Sequence, residues 1–319
     1  MPAVSLTDFA AASQILDRDK SNSGVQGLRW GDDGWGDRAT VSYSFLPFDG
    51  VIDAGDAWDE RGMTPAERQF IINEVMVAIR DVADLTLNPV GINNSGQIRF
   101  QVGDGFDGGL TTRTFNLGSG NPDIITGQSV VTLGGESGDG TFSFFNALHE
   151  TLHALGLHHP GDYDLGEGSG PITYDSDATY IQDSAQYTVM TYFEATNTGA
   201  NWDFGVSGTL RLHDVMALQR LYGANDAAFD GDTRYGFNSN TGREWWTLAG
   251  PDETMIGAIW DTGGTDWIDA SGYGENQVID LRQTEFSSLG DLTLNLGIAP
   301  GAVIENAVGG SGDDLISGN

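Results

Sequence analysis

The chain has 319 residues, no cysteine, and 46 acidic against 14 basic residues, for a formal net charge of −32 at pH 7. That charge argues against nucleic acid or an anionic membrane as a partner and suits bound cations or a salty medium, while the lack of cysteine excludes disulfide staples, cysteine zinc fingers and thiol catalysis. The opening MPAVSLTDFAAASQILDRDK has no basic start followed by an apolar run, so no Sec-type signal peptide is read there, and no run of about eighteen apolar residues predicts a transmembrane helix.

Residues 1–38 are polar and glycine-rich, with a short helix expected over 6–16. ATVSYSF (39–45) places Val41, Tyr43 and Phe45 on one side, the period of a half-buried strand. Thr64, Pro65 and Glu67 form a capping box with proline at the first helical position, which predicts a helix to about residue 84 with Phe70, Val75, Ala78, Ile79 and Val82 inward. QIRFQVGDG (97–105) and SVVTLGG (129–135) read as strands separated by a long glycine-rich, polar stretch. The second of them, directly before the next helix, is either an ordinary core strand or an edge offered to an extended peptide.

HETLHALGLHHP follows, on a helix expected over 141–155. Residues four apart share a helix face, so His149 and His153 point two imidazoles at one ion with Glu150 beside them. Gly156 can take the left-handed conformation that ends a helix and turns the chain back, bringing His159 to the same ion. The pattern H-E-x-x-H-x-x-G-x-x-H supplies three zinc ligands, an open position for water, and a base. Four of the five histidines lie in these eleven residues. His158 is off the ligand spacing and is expected at the surface or behind a ligand, and His213 is expected as a packed or exposed helix residue.

Residues 161–186 are acidic and turn-rich, a loop expected to rim the site. QYTVMTYF (186–193) carries Met190 and Tyr192; the methionine either fills the core or looks like the Met-turn of metzincins. LRLHDVMALQRLYG (210–223) has Leu212, Val215, Met216, Leu218 and Leu221 at helical spacing and ends on Gly223. Beyond 225 the chain breaks into short β-type runs between Gly, Asp and Asn, closing on GGSGDDLIS (309–317), a match to the calcium-binding nonapeptide with Asp314 as its acid and Ile316 as its inward apolar residue.

These stretches, together with LQRLYGAN, RYGFNSNTGRE, IWDTGGTDWIDASGY and VIENAVGGSGDD, resemble the serralysin-type secreted metalloproteases of the metzincin group, from about residue 28 to the end. The resemblance implies an α/β metzincin catalytic domain (31–224) with its active-site helix against a twisted, mainly parallel sheet. An N-terminal segment (1–30) precedes it, and an all-β domain (225–319) follows, leading into a calcium β-roll cut at its first RTX repeat. It implies that His149, His153 and His159 bind catalytic zinc, that Glu150 is the general base, and that Tyr192 is a further zinc ligand able to swing away and stabilise the intermediate. It places structural calcium at Phe229, Gly231, Thr233, Asp261, Gly263 and Asp266, at Gly264, Asp266, Val303 and Glu305, and at Gly310, Gly312 and Asp314. Phe229 stands where the family often has arginine, Val303 where it has threonine, and Thr191 where it has serine; carbonyl ligands at the first two positions would survive the change.

The expectation is therefore a secreted zinc endopeptidase that acts on protein or peptide substrates as a monomer. A proteinaceous inhibitor is a further expected partner, with no nucleic acid and no membrane insertion, and export by a route that does not use an N-terminal signal peptide. The competing readings are a silent or latent metzincin-fold calcium-binding surface protein, against which the intact Glu150 counts, and a zinc hydrolase of a non-peptide substrate.

Overall fold

The computed structural model describes residues 5–16, 28–31, 34–47, 59–92, 95–104, 108–113, 125, 127–134, 143–161, 163, 171–202 and 208–319. They fall into two units, each described by itself: one of Ile15–His158 with Leu218–Ala224, the other of Met1–Gln14, His159–Ala217 and Asn225–Asn319. Among the described residues no helix is long and apolar enough to cross a membrane.

In the first unit the alternating residues of 39–45 form β1 (Ala39–Phe45), and Val41, Tyr43 and Phe45 are buried. The capping box at Thr64 closes as expected, with Glu67 N–H donating to Thr64 Oγ1 at 3.3 Å and Thr64 N–H to the Glu67 carboxylate at 2.5 Å. The helix it starts, α2, runs through an α segment (Pro65–Phe70), a π turn (Ile71–Val75) and a second α segment (Met76–Val82). The extra residue of a π turn rotates the sequence around the axis. Ile71 and Met76 therefore join Val75, Ala78, Ile79 and Val82 inside, while Phe70, expected inward, is only half-buried, edge-on to Phe144.

The sheet holds three strands that the pattern did not announce: β2 (Asp59–Arg61), β3 (Leu85–Ile92) and β5 (Gly109–Arg113). With β4 (Ile98–Asp104) and β6 (Ser129–Gly134) the order is β3-β1-β4-β6-β5, and β2 pairs with β4. β1 is parallel to β3 and β4, and β4 to β6; only β2 and β5 run antiparallel to their partners. The link from β1 through α2 to parallel β3 is the crossover a parallel pair requires. The offered edge is therefore not β6, which has β4 on one side and β5 on the other. Among the described residues β5, in the stretch read as a polar gap, is the edge on that side, and α3 (Phe144–Ala154) packs on β5 and β6.

In the second unit the N-terminal helix forms as α1 (Asp8–Gln14). Leu6 and Gln182 exchange hydrogen bonds, and Asp8 Oδ1 lies 3.2 Å from Nε2 of His213, which is fully buried. A short helix α4 (Tyr174–Asp177) precedes α5 (Leu212–Tyr222), which belongs to this unit as far as Ala217 and to the first from Leu218 on; it buries Leu212, Val215, Leu218 and Leu221 as spaced but leaves Met216 half-buried.

The C-terminal stretch stacks strands of two to four residues, paired in parallel except β12 against β13. β7 (Arg234–Phe237), β10 (Trp267–Asp269) and β14 (Asn306–Val308) form one column, with β8 (Thr247–Leu248) beside β7. β11 (Val278–Asp280) pairs with β15 (Leu315–Ser317), and β13 (Leu296–Ile298) pairs with β9 (Gly257–Ile259) and with β12 (Phe286–Ser287). Layers in register bury Tyr235, Ile268 and Ile279 completely. Ile316, expected inward, pairs with Ile279 but is 45% exposed, because β15 is the outer member of its two-stranded sheet.

Candidate metal centre

Ser143 starts α3 by accepting the Asn146 N–H at 3.1 Å, and Phe145, Ala147, Leu148, Thr151, Leu152 and Ala154 are buried. The histidines one turn apart meet with ring centroids 4.6 Å apart and planes at 87°. The helix ends in a Schellman motif: Gly156 N–H donates to His153 O and Leu157 N–H to Leu152 O, each at 3.0 Å, with Gly156 at φ +108°. A Cβ at Gly156 would collide with the carbonyl oxygen of Leu28 and require a conformation L-residues avoid. Gly156→Ala is expected to cost at least about 2 kcal/mol, read as a melting temperature lower by roughly 5 °C or more; an unchanged melting curve would show that the turn is not under this constraint.

The turn delivers His159. One ligand atom from each of His149, His153 and His159 lies within 4.8 Å of the others. Nδ1 of His153 sits 2.8 Å from Leu157 O and Nδ1 of His159 3.1 Å from Tyr163 O, a spacing of four residues in both cases. With Nδ1–H donating to a carbonyl, each ring is held in the tautomer whose Nε2 carries a lone pair for a metal. Three neutral imidazoles with no thiolate suit zinc in an open, catalytic coordination. His149 and Glu150 are buried; His153 and His159 are half-buried. Glu150 Oε2 accepts the Thr111 hydroxyl at 2.7 Å. His158, expected at the surface or behind a ligand, is half-buried and donates its N–H to Ile15 O.

Tyr192 lies against His159, ring centroids 4.4 Å apart, and Tyr163 stacks on His159 at 5.8 Å and 13°. A buried carboxylate ties these groups together. Asp183 Oδ1 accepts from Tyr163 Oη at 2.8 Å and from Thr191 Oγ1 at 2.6 Å, and Thr191 Oγ1 in turn accepts Phe193 N–H at 3.1 Å. Burial and the Asp183 charge push the Tyr163 phenol well above its ordinary range, so it remains a donor. The departure to Thr191 keeps the group in use, a hydroxyl that serine shares. Met190 is fully buried in its turn, with its N–H on Thr188 Oγ1, which itself donates to Asp214. Tyr163, Asp183 and Thr111 escaped the sequence reading. The only trace was the repeat of the four-residue spacing from His153 and Leu157 in His159 and Tyr163.

Acids predicted for calcium also converge. Asp261 and Asp266 are buried; Asp261 accepts from Tyr235 Oη (2.7 Å) and Gly263 N–H (3.0 Å), and Asp266 Oδ1 from Thr233 N–H (2.7 Å). Glu305 Oε2 accepts Asp266 N–H at 2.8 Å, and Asp266 Oδ2 is buried with no hydrogen-bond partner among the described residues. Burial pushes the Asp261 carboxyl up to about 7 even with those donors, and the nearby Asp266 charge adds to it; Asp266 is raised by burial and by Glu305 and Asp232. Two buried acids that repel, one with an orphaned oxygen, fit a divalent cation.

Phe229 adopts a left-handed φ of 51°, and Gly231 O already accepts the Thr233 hydroxyl at 2.7 Å. Gly264 packs against the Gly231 backbone, and Val303 is exposed. Gly310 and Gly312 pack on the carbonyls of Tyr273 and Glu275, and Asp314 Oδ1 accepts Gln277 N–H at 2.8 Å.

Residues 224–319 match the family model described as Peptidase M10 serralysin C terminal. Serralysin B of Dickeya chrysanthemi is 37% identical over 298 residues, 90% of this chain and 60% of that protein. Serralysin of Proteus mirabilis is 46% identical over 180 residues, 56% of this chain and 36% of its own length, and metallopeptidase AprA of Pseudomonas marginalis is 48% identical over 176 residues, 54% and 36%. The alignments thus span less than two thirds of each relative.

Proposed function

Because the chain belongs to the serralysin-type metalloproteases, we propose that it is a secreted, zinc-dependent endopeptidase whose catalytic chemistry lies in 31–224 and whose β part, 225–319, holds structural calcium. The observation that carries this reading is the convergence of His149, His153 and His159, the last two each oriented by a main-chain carbonyl, with Glu150 buried one residue along the helix from His149. Zinc held by the three histidines would lower the pKa of a bound water towards neutrality and polarise a peptide carbonyl. Glu150 takes the proton of the attacking water and hands it to the leaving amine. Tyr192, resting on His159, donates its phenol to the developing oxyanion, a contribution typically worth about 3–4 kcal/mol for one such donor.

Substrate enters as an extended peptide. Among the described residues β5 pairs on one side only, beside α3, and its other side offers main-chain donors and acceptors to a peptide that adds to the sheet. Specificity then comes from side-chain pockets, while the backbone supplies affinity.

The test is casein hydrolysis by the purified chain, with zinc measured by elemental analysis. Hydrolysis that stops on zinc chelation and returns on adding zinc supports the proposal. One bound zinc with no cleavage of any protein would replace it with the silent or latent reading.

A further inference from the structure

We propose that Thr111 is a positioning residue for the general base, pinning the Glu150 carboxylate from the same strand that receives the peptide. The inference rests on the endopeptidase reading and adds a residue to it. Side chains alternate along a strand, so Gly109 and Thr111 share one face of β5 while Leu110 and Thr112 share the other. The exposure follows that alternation: Gly109 and Thr111 are half-buried, and Leu110 and Thr112 are exposed, Leu110 at 44%.

The inward face is shaped around Glu150. At Gly109 there is no room for a side chain, since a Cβ would come within 2.7 Å of Glu150 Oε1 and 2.8 Å of its Cδ. At Thr111 the side chain is a donor, with Oγ1 2.7 Å from Glu150 Oε2 and 2.8 Å from Glu150 O. The one O–H of Thr111 is thus shared between two acceptors, the carboxylate and the main-chain carbonyl of Glu150, which fixes the curl of a side chain with three rotatable bonds. A glutamate held in its working rotamer does not have to find it in each turnover, and small misplacements of a reacting group cost large factors in rate. Since the clasp comes from the edge strand, pairing of a peptide on β5 and orientation of the base depend on one element. A threonine in a strand is ordinarily there for β propensity. Exposed Thr112 meets that description; Thr111, with its hydroxyl on a buried carboxylate, does not.

The experiment compares Thr111→Val, which keeps shape and β propensity but removes the donor, with Thr111→Ser, which keeps the donor, and Thr86→Val, at an exposed position of β3, as a control. Each is assayed on a fluorogenic peptide with zinc content and melting temperature measured alongside. The expected result is a kcat lowered about 10-fold or more in Thr111→Val, with KM, zinc content and melting temperature held, and a kcat close to wild type in Thr111→Ser and Thr86→Val. An unchanged kcat in Thr111→Val, or an equal loss in Thr111→Ser, overturns the proposal. A wild-type chain that cleaves nothing sinks the endopeptidase reading instead, and the clasp is then judged by crystal structures. A single Glu150 conformer in wild type and Thr111→Ser, lost in Thr111→Val, supports it; an unmoved Glu150 in Thr111→Val overturns it.

Discussion

Glu150→Gln is expected to bind one zinc per chain and to lose proteolysis by about 10²–10⁴-fold, the range a positioned general base contributes. The amide has the shape of the carboxylate and an oxygen that can still accept from Thr111, so α3 and β5 keep their packing and the three histidines their geometry. What it lacks is the capacity to take a proton from water and return it to an amine. The measurement is kcat/KM on a peptide beside zinc content and a melting curve for the same preparation. Proteolysis within about tenfold of wild type, with zinc bound, would remove Glu150 from the mechanism. Lost zinc or a collapsed melting curve would instead show that the substitution had damaged the site.

Removing calcium with a calcium-selective chelator is expected to lower the melting temperature by roughly 5–10 °C for each site emptied, since an ion at a hundred times its dissociation constant contributes about 2.7 kcal/mol. The gap should widen with pH. Asp261 in the ion-free protein is raised from 3.8 to about 7 by burial and by Asp266. Between those values the folded chain holds a proton that the unfolded chain has released, so the contribution of Asp261 to the stability of the ion-free form is largest at low pH and falls as pH rises towards 7. A bound cation reverses the penalty by balancing the ionised pair. Melting with and without the chelator at pH 5.5 and pH 8 checks both parts. No calcium effect at either pH would leave a solvated acidic β domain, and a gap equal at both would exclude Asp261 as the group that links the ion to protons.

The elements legible in the residue pattern were those whose information is local. The capping box at Thr64, the alternation of Val41, Tyr43 and Phe45, and the glycines ending the helices at 156 and 223 act within a few residues, and the structure has each in place. Phe70 and Met216 were misplaced for a different reason. Helical spacing names a face, but a π turn or the limited width of a packed stripe sets which of its residues are covered. Strand β5 was invisible because an edge strand with one exposed face needs little hydrophobicity, and GLTTR reads as polar loop until β6 is beside it.

For the candidate site the division is the same. Residue order alone specified His149, Glu150, His153, Gly156 and His159, because one helix and one turn bring them together and covalent geometry allows little else. The roles of Thr111, Tyr163 and Asp183 depend on contacts across 39 residues of chain from Thr111 to Glu150, and 20 from Tyr163 to Asp183. Which hydroxyl meets which carboxylate at such separations follows from the order of strands in a sheet and the path of a loop. Those are settled by the burial of many side chains at once, so only the folded chain could assign them.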